Sequence, residues 1–332
     1  MRRKARLLIG YDIIGDVHGR AALLEDLLIG LGYRRRSGVG AYQHQGRQAI
    51  FVGDLIDGGP HQCETLELVK AMVDHGSARA VMGNHEFNAI AYATGIHGRP
   101  GAFLLAHTET NTRRHQAFLD QLTASQRSYY VTWFQTLPLW LDLGDIRVVH
   151  ACWHEESRRS IEDLTGSNRL TAAHFVAAAT KGGSIFKAVD ILLNGPELNL
   201  SDYDLPRFRD WNGEPRATTW VKWWRATENT VREVAEAGKY PTEDGGSYPT
   251  LPSKELRADA LKYIYTSHTP VFFGHYSRDG TPDDHRAWDN YAACLDFSGN
   301  QFDTLVAYRW NGEPRIRSEN FVYRQQGRSS NT

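Results

Sequence analysis

The residues best suited to chemistry in this chain stand at the ends of short apolar runs, most of them beside a glycine. They are Asp16 and His18 after "YDII", Asp54 after "AIFV", Asn84 after "RAVM", His150 inside "RVVHA" and His275 after "VFF". Strand ends of an α/β sheet converge on one crevice, so these side chains are expected to meet there. Carboxylate, amide and imidazole ligands without a thiolate suit Mn, Fe or Zn better than Ca or a structural zinc ion. The pattern therefore predicts a metal centre.

The spacing of these ligands indicates two ions. Asp16 and His18 are two residues apart, so both point to one side of an extended segment and can hold one ion. Asp54 has two carboxylate oxygens and can bridge both ions. Asn84, His150 and His275 would complete the second site. Taken singly, an aspartate after a strand is more often a helix cap, and a strand histidine is more often a core residue. It is the ordered set that favours metal binding.

Two neighbouring ions have a known use in phosphorus chemistry. Ions roughly 3.5–4 Å apart promote in-line displacement at phosphorus and lower the pKa of a bridging water. A metal-bridging hydroxide would attack, so no side-chain nucleophile is needed. His85 adjoins Asn84 and is the expected general acid for the leaving alcohol. Asp57 is expected to orient that imidazole and raise its pKa, although it could instead cap the helix that starts near Pro60.

The elements that must position these residues follow from the hydrophobic pattern. Strand and helix signals alternate through the first third of the chain, which is typical of an α/β layer. Residues 102–140 read as helical, residues 156–260 are long and irregular, and strand signals return near the end. We therefore expect a single α/β domain over residues 1–332, with a helical insertion at about 102–140 and a cap-like insertion at about 156–260.

Composition narrows the class of protein. The chain has 332 residues, a formal net charge of -1 and three widely spaced cysteines. The absence of a basic excess makes nucleic acid an unlikely partner, and no apolar run is long enough to predict a membrane span. Three cysteines without a C-x-x-C favour a reducing cytoplasm over a disulfide framework. The basic and then apolar start is interrupted by Asp12 and Asp16, which predicts a buried first strand rather than a signal peptide.

The ordered motifs resemble a known superfamily. The set G-D-x-H-G, G-D-x-x-D, G-N-H-E, a strand with H-A and a late G-H is similar to that of the calcineurin-like metallophosphoesterases. The likeness is strongest to the branch with serine/threonine protein phosphatases, symmetrical diadenosine tetraphosphatases and bacterial phosphatases such as a cold-active protein-tyrosine phosphatase. It covers residues 12–90, 146–152 and 271–310.

The resemblance implies a four-layer α/β/β/α sandwich with helical insertions and a dinuclear site at the strand ends. It implies the ligands and the acid pair that the residues themselves suggest, namely Asp16, His18, Asp54, Asn84, His150 and His275 with His85 and Asp57.

Two positions depart from the family pattern. Relatives commonly have an arginine after the second aspartate of G-D-x-x-D to hold the substrate phosphate, and this chain has Gly58. Other branches have a second histidine in the late G-H-x-H motif, and this chain has Ser277, as the protein-phosphatase-like branch does. Arg20, Arg99 or Arg278 could supply the missing guanidinium, which binds phosphate in a bidentate manner.

The expected function is a dinuclear-metal-dependent phosphatase for phosphomonoesters, either a phosphoprotein or a small phosphoester. A dinucleoside polyphosphate or phosphodiester hydrolase is the alternative, and a pseudo-phosphatase that binds metal without catalysis has only Gly58 in its favour. Residues 156–260 are expected to shape the mouth of the pocket. Their Trp220, Trp223 and Trp224 are expected to pack in a small core rather than to stack on a substrate ring.

Overall fold

A computed structural model describes residues 10–36, 40–210, 213–238, 240–284, 288–299 and 303–327. The expected first strand is present, and the basic residues before Gly10 lie outside the described residues. Within these ranges the chain divides into two compact units. One holds the described residues up to Leu193 and from His268 onward, and the other runs from Asn194 to Ser267.

The strands alternate with helices in the order that the sequence predicts for an α/β layer. The strands are β1 (Gly10–Ile14), β2 (Arg34–Arg35), β3 (Tyr42–Gln43), β4 (Arg47–Phe51), β5 (Ala78–Ala80), β6 (Trp140–Asp142), β7 (Arg147–Val149), β8 (Glu197–Asn199), β9 (Phe208–Arg209), β10 (Pro215–Arg216), β11 (Thr218–Trp220), β12 (Val271–Phe273), β13 (Ala292–Cys294), β14 (Thr304–Trp310) and β15 (Phe321–Gln325).

Helices occupy the stretch at 102–140 that is predicted to be helical, and they occur together with short strands in the irregular region at 156–260. They are α1 (Ala21–Gly30), α2 (Gln62–Asp74), α3 (Asn84–Ala93), α4 (Glu109–Arg114), α5 (Gln116–Gln121), α6 (Ala124–Phe134), α7 (Glu155–Thr165), α8 (Ala172–Ala179), α9 (Ser184–Asn194), α10 (Val231–Val234) and α11 (Ala258–Leu261).

Two sheets form the centre of the first unit. The first has the order β15-β14-β1-β4-β5, and the second has the order β13-β12-β7-β6. Strands β1, β4 and β5 are parallel, as are β13, β12 and β7. Aromatic packing joins the sheets, since the rings of Phe272 on β12 and Tyr308 on β14 have centroids 4.8 Å apart.

Helices cover the outer faces of this pair of sheets. Helix α1 packs on β14 and β15, through an apolar face that buries Leu24, Leu27 and Leu28. On the other side, the guanidinium of Arg158 on α7 lies 5.0 Å from the ring centroid of Trp140 on β6. The first unit is therefore the four-layer α/β/β/α arrangement that the sequence predicts.

The second unit has small hairpins around a tryptophan core. Strand β8 pairs with β11, and β9 pairs with β10, both antiparallel. Trp223 is fully buried, and its ring contacts those of Trp224 and Tyr265, each with a centroid 5.9 Å away. The expected packing role is confirmed for Trp223 and Trp224, whereas Trp220 is half-buried. The division of the chain into one domain with insertions stays a prediction.

Candidate metal centre

The candidate residues meet where the two sheets present the carboxyl ends of their parallel strands. Asp16 and His18 follow β1, Asp54 and Asp57 follow β4, Asn84 and His85 follow β5, His150 follows β7 and His275 follows β12. The N–H of Gly274 donates to the carbonyl of His150 at 2.8 Å, which joins the ends of two strands of the second sheet. The expected convergence is therefore present.

Glycines beside the candidate residues allow the close approach of side chains. A Cβ atom at Gly274 would lie 1.8 Å from Asp16 Oδ1, and one at Gly83 would lie 2.2 Å from Asp54 Oδ1. Real Cβ contacts are never this short, so these two positions require glycine.

The backbone of the site adopts an uncommon conformation. His18, Asp54, Asp57 and His275 have positive φ angles of 48°, 50°, 67° and 69°. Residues other than glycine seldom adopt positive φ angles. Those that do cluster at functional sites, where the surrounding structure must hold the strained backbone. This conformation turns the backbone sharply after the strand that precedes each of these residues.

Asp54 lies at the centre of the cluster. Its Oδ1 is 3.4 Å from His150 Nε2, and its Oδ2 is 3.9 Å from His18 Nε2 and 3.8 Å from His85 Nε2. Two groups of possible ligands share it: Asp16, Asp54 and His150, and His18, Asp54 and His85, with the ligand atoms of each group within 4.8 Å of one another. A carboxylate placed between two groups is suited to bridge two ions.

Backbone carbonyls set the tautomers of two of the histidines. His18 Nδ1 lies 3.0 Å from the carbonyl of Ile56, and His150 Nδ1 lies 2.9 Å from the carbonyl of Val52. A carbonyl only accepts, so in each ring Nδ1 carries a proton and Nε2 is the nitrogen that faces Asp54. Metal-ligating histidines have this arrangement, because the second nitrogen fixes the tautomer and the ring orientation.

Several acceptors converge on a place where a cation would be stabilising. Asp16 Oδ1 is buried and has no hydrogen-bond partner among the described residues. The Asn84 amide oxygen lies 2.9 Å from His150 Nε2 and 3.1 and 3.0 Å from the two carboxylate oxygens of Asp54. The amide oxygen and the two carboxylate oxygens repel one another unless the amide rotates to donate or a cation lies among them. The residues present therefore fit a metal site with oxygen and nitrogen ligands.

His275 is placed beside this cluster without belonging to either close group. Its backbone N–H donates to Asp16 Oδ2 at 3.0 Å, and its ring lies edge-on to that of His150 with centroids 5.4 Å apart. Its expected role as a ligand stays a prediction.

Buried charge makes the cluster electrostatically unusual. Burial, together with the charges of Asp296 and Asp54, raises the pKa of Asp16 well above its usual range. Burial opposes ionisation of Asp54 too, but His150 and His85 outweigh it and hold the pKa of Asp54 well below its usual range. Like charges held together in a buried site are costly unless a ligand neutralises them.

His85 and Asp57 form the pair that the sequence predicts. His85 Nδ1 lies 2.7 Å from Asp57 Oδ2. Burial alone would lower the pKa of His85, but the charges of Asp54 and Asp57 exceed that effect and raise it to about 10. Asp57 is buried with its carboxylate on the imidazole, and His61 rather than Asp57 occupies the N-cap position of the following helix.

Sequence reasoning assigned no role to Glu86, which braces the site. Its carboxylate accepts the backbone N–H groups of Asp54, Leu55 and Gly83 at 2.8–2.9 Å. Burial and the charge of Asp54 raise the pKa of Glu86 to about 7. The fourth position of G-N-H-E was visible in the sequence, but its backbone partners could not be read from it.

His115 is a second residue to which the sequence motifs assign no role. It lies between α4 and α5, and its Nδ1 is 3.0 Å from Asp57 Oδ1. The signal was weak, because the residue stands alone in a helical stretch, 58 positions away from its partner.

The structure distinguishes among the arginines considered as substitutes at Gly58. Arg20 is buried and donates to the backbone carbonyls of Val17, Thr304 and Asp16 at 2.8, 2.8 and 2.5 Å. The expectation for Arg20 is therefore wrong, since its guanidinium braces the backbone. Arg99 lies in an exposed loop, and Arg278 is half-buried after β12.

Comparison with known proteins agrees with this geometry. A family model described as calcineurin-like phosphoesterase matches residues 11–276, well over half of the chain. The chain therefore belongs to the calcineurin-like phosphoesterase family, and the predicted family is confirmed.

Two curated relatives carry the name asymmetrical bis(5'-nucleosyl)-tetraphosphatase PrpE. The protein of Oceanobacillus iheyensis is 33% identical over 142 residues, which are 42% of this chain and 54% of the relative. That of a Geobacillus species is 33% identical over 166 residues, which are 50% of this chain and 63% of the relative. The chain thus spans between half and two thirds of the length of these relatives.

A solved structure of a cold-active protein-tyrosine phosphatase from a Shewanella species is also similar. It is 16% identical, with a TM-score of 0.42, and the match covers 93% of this chain and 80% of that one.

Among the described residues, every helix is too short or too polar to cross a bilayer.

Proposed function

We propose that this protein is a metal-dependent phosphoesterase with two metal ions. The observation that carries the proposal is the pair of candidate ligand groups that share Asp54, beside the buried Asp16 Oδ1, which has no hydrogen-bond partner among the described residues. Cations would stabilise such a buried set of acceptors, and family membership indicates phosphoester chemistry.

Six residues would hold the ions: Asp16, His18, Asp54, Asn84, His150 and His275. When bound, two ions of the Mn, Fe or Zn class would lower the pKa of a coordinated water and neutralise charge on the phosphoryl group. Glu86 holds the backbone around Asp54 and Gly83, so the carboxylate and the Asn84 amide keep their relative positions.

His85 is the proposed proton donor. Its Nδ1 is fixed by Asp57, so its Nε2 faces the cluster, 3.8 Å from Asp54 Oδ2. A protonated Nε2 can give its proton to the leaving oxygen as the bond to phosphorus breaks.

This acid pair favours phosphomonoesters of alcohols as the substrate class. An alkoxide is a poor leaving group and gains much from a proton, whereas a phosphate leaving group gains little. A phosphoprotein or a small phosphoester therefore suits the pair His85–Asp57.

Dinucleoside polyphosphates are the second candidate, and the names of the two relatives favour them. No arginine stands at Gly58 to hold a terminal phosphate group, and an internal phosphate of a polyphosphate carries less charge for such a residue to bind.

The test is a substrate panel on metal-stripped protein reconstituted with Mn, Fe or Zn. The panel contains a phosphopeptide, an alkyl and an aryl phosphomonoester, the matching aryl diester and diadenosine tetraphosphate. We expect the monoesters to turn over fastest, and the Asp54→Asn variant to lose metal and turnover together. Preference for diadenosine tetraphosphate would support the second candidate. Full metal content without turnover of any ester would contradict the proposal.

A further inference from the structure

The helical stretch after α3 carries a buried histidine that the proposed reaction does not use. His115 is 5% exposed, and its Nδ1 lies 3.0 and 3.1 Å from the two carboxylate oxygens of Asp57. An ionised carboxylate only accepts hydrogen bonds, so Nδ1 of His115 carries a proton and donates it to both oxygens.

Asp57 is thus shared by two imidazoles. His85 Nδ1 approaches Oδ2 at 2.7 Å from one side, and His115 approaches both oxygens from the other. The backbone N–H of Asp57 donates to Gln62 Oε1 at 2.8 Å. These contacts fix the position of the carboxylate and its rotation about the Cβ–Cγ bond.

Packing in turn fixes the His115 ring. Phe118 stacks on it at a centroid distance of 4.8 Å and an interplanar angle of 27°, and Tyr92 of α3 lies 5.4 Å away. The hydroxyl of Tyr92 lies 3.0 Å from Thr112 Oγ1, which ties α3 to α4. The imidazole is therefore held toward Asp57 by two helices as well as by its own hydrogen bonds.

We propose that His115 is a positioning residue for proton delivery by His85. It holds the Asp57 carboxylate so that this carboxylate aligns the His85 ring toward the leaving oxygen. The inference rests on the proposed phosphoesterase function. In the step it serves, oxygen from water forms a bond to phosphorus while the bond from phosphorus to the leaving oxygen breaks and its electron pair stays on the leaving oxygen. The leaving oxygen takes the proton from His85 Nε2 as that bond breaks and departs as a neutral alcohol.

The consequence is a dependence on the leaving group that a purely structural role would not produce. An alkyl phosphoester needs the proton, whereas a p-nitrophenyl ester loses a stable anion and needs it much less. Misalignment of His85 should therefore slow the alkyl ester more than the p-nitrophenyl ester.

Two substitutions separate the N–H donor from the aromatic ring. His115→Phe keeps a ring for Phe118 and Tyr92 but removes the donor. His115→Asn removes the ring but places an amide N–H at the position of Nδ1. Both are compared with the wild-type protein at equal metal content, with thermal unfolding as the check of folding.

We expect His115→Phe to lower kcat for the alkyl ester by about ten- to hundredfold, the usual cost of removing an outer hydrogen-bond partner. The loss for the p-nitrophenyl ester should be clearly smaller, and His115→Asn should keep most of the activity on both esters. In the metal-free wild-type protein, long-range ¹H–¹⁵N NMR should show His115 protonated at Nδ1.

Equal losses on both esters, or a ring protonated only at Nε2, would overturn the inference. If His115→Phe does not fold, a His115→Asn protein that loses the alkyl activity would overturn it as well. If the wild-type protein is active and the His115→Phe variant turns over both esters at the wild-type rate, this inference alone is overturned. A wild-type protein without turnover of any ester would overturn the proposed function and this inference with it.

Discussion

Strand β1 and the turn after it carry two buried aspartates, four residues apart, whose surroundings differ in kind. Asp12 is fully buried and bonds Arg47 Nε at 2.9 Å, Arg309 Nε at 2.9 Å and the Tyr33 hydroxyl at 3.0 Å. Asp16 is also buried, but the charges of Asp296 and Asp54 oppose its ionisation more than Arg20 favours it, and its Oδ1 has no hydrogen-bond partner in the described part of the chain.

This difference separates a structural charge from a functional one. A buried carboxylate with two guanidinium partners is neutralised within the fold, and loss of it should affect folding. A buried carboxylate among other carboxylates has its counter-charge elsewhere, and loss of it should affect ligand binding. The predictions below test this distinction from the largest expected effect to the smallest.

On the functional side, His85→Asn should have the largest effect. Turnover of an alkyl phosphomonoester should fall by about two to four orders of magnitude, the usual contribution of general acid catalysis. Metal content, measured by elemental analysis, should stay at two ions for each chain. Unchanged turnover would refute the role of His85 as the acid.

On the structural side, Asp12→Asn should lower the free energy of unfolding by about 3–5 kcal/mol, because it leaves Arg47 and Arg309 without their shared carboxylate. Denaturant titration measures the loss. The fraction of the Asp12→Asn protein that remains folded should bind both ions. A stable variant that loses metal would remove the contrast between Asp12 and Asp16.

Asp16→Asn should produce the opposite pattern. Its metal affinity should fall by at least about ten- to hundredfold, the loss seen when even an outer partner of a ligand is removed. The metal-free protein should unfold at the same or a higher temperature, because it no longer buries a carboxyl group whose ionisation is opposed by burial and by Asp296 and Asp54. A large drop in the unfolding temperature would place Asp16 with Asp12 as a structural charge.

Gly58→Arg should have the smallest effect, and it tests whether the functional side lacks a cation for phosphate. We expect inorganic phosphate to inhibit at roughly tenfold lower concentration, equivalent to about 1.4 kcal/mol. Gly58 has a φ of 81°, so Gly58→Gln is the matched control with the same backbone strain and no charge. Equal inhibition of both variants would mean that another residue already binds the phosphate.

The convergence of the candidate ligands could be predicted because the geometry of parallel strands is local and regular. A residue directly after β1, β4 or β5 must lie at the carboxyl edge of the sheet, so Asp16, Asp54 and Asn84 could be placed together without coordinates. The His85–Asp57 contact could be predicted for the same reason, because both residues follow strands that end at this edge.

The supporting residues could not be predicted in this way. His115 reaches Asp57 only because α4 and α5 pack against that loop, and the packing of helices leaves no fixed spacing in the sequence. Arg20 looked available for phosphate because its position follows the G-D-x-H-G motif. Its donors reach the carbonyls of Val17 and Thr304 instead, and carbonyl positions depend on the fold.

The left-handed backbone at His18, Asp54, Asp57 and His275 has a consequence for engineering this protein. Glycine relieves such strain, so a screen that selects only for thermal stability should enrich glycine at these four positions. Each such gain would remove a residue proposed as a metal ligand or as the partner of the acid. Attempts to raise the thermal stability of this protein should therefore keep these four positions unchanged and place substitutions in the second unit and the outer helices.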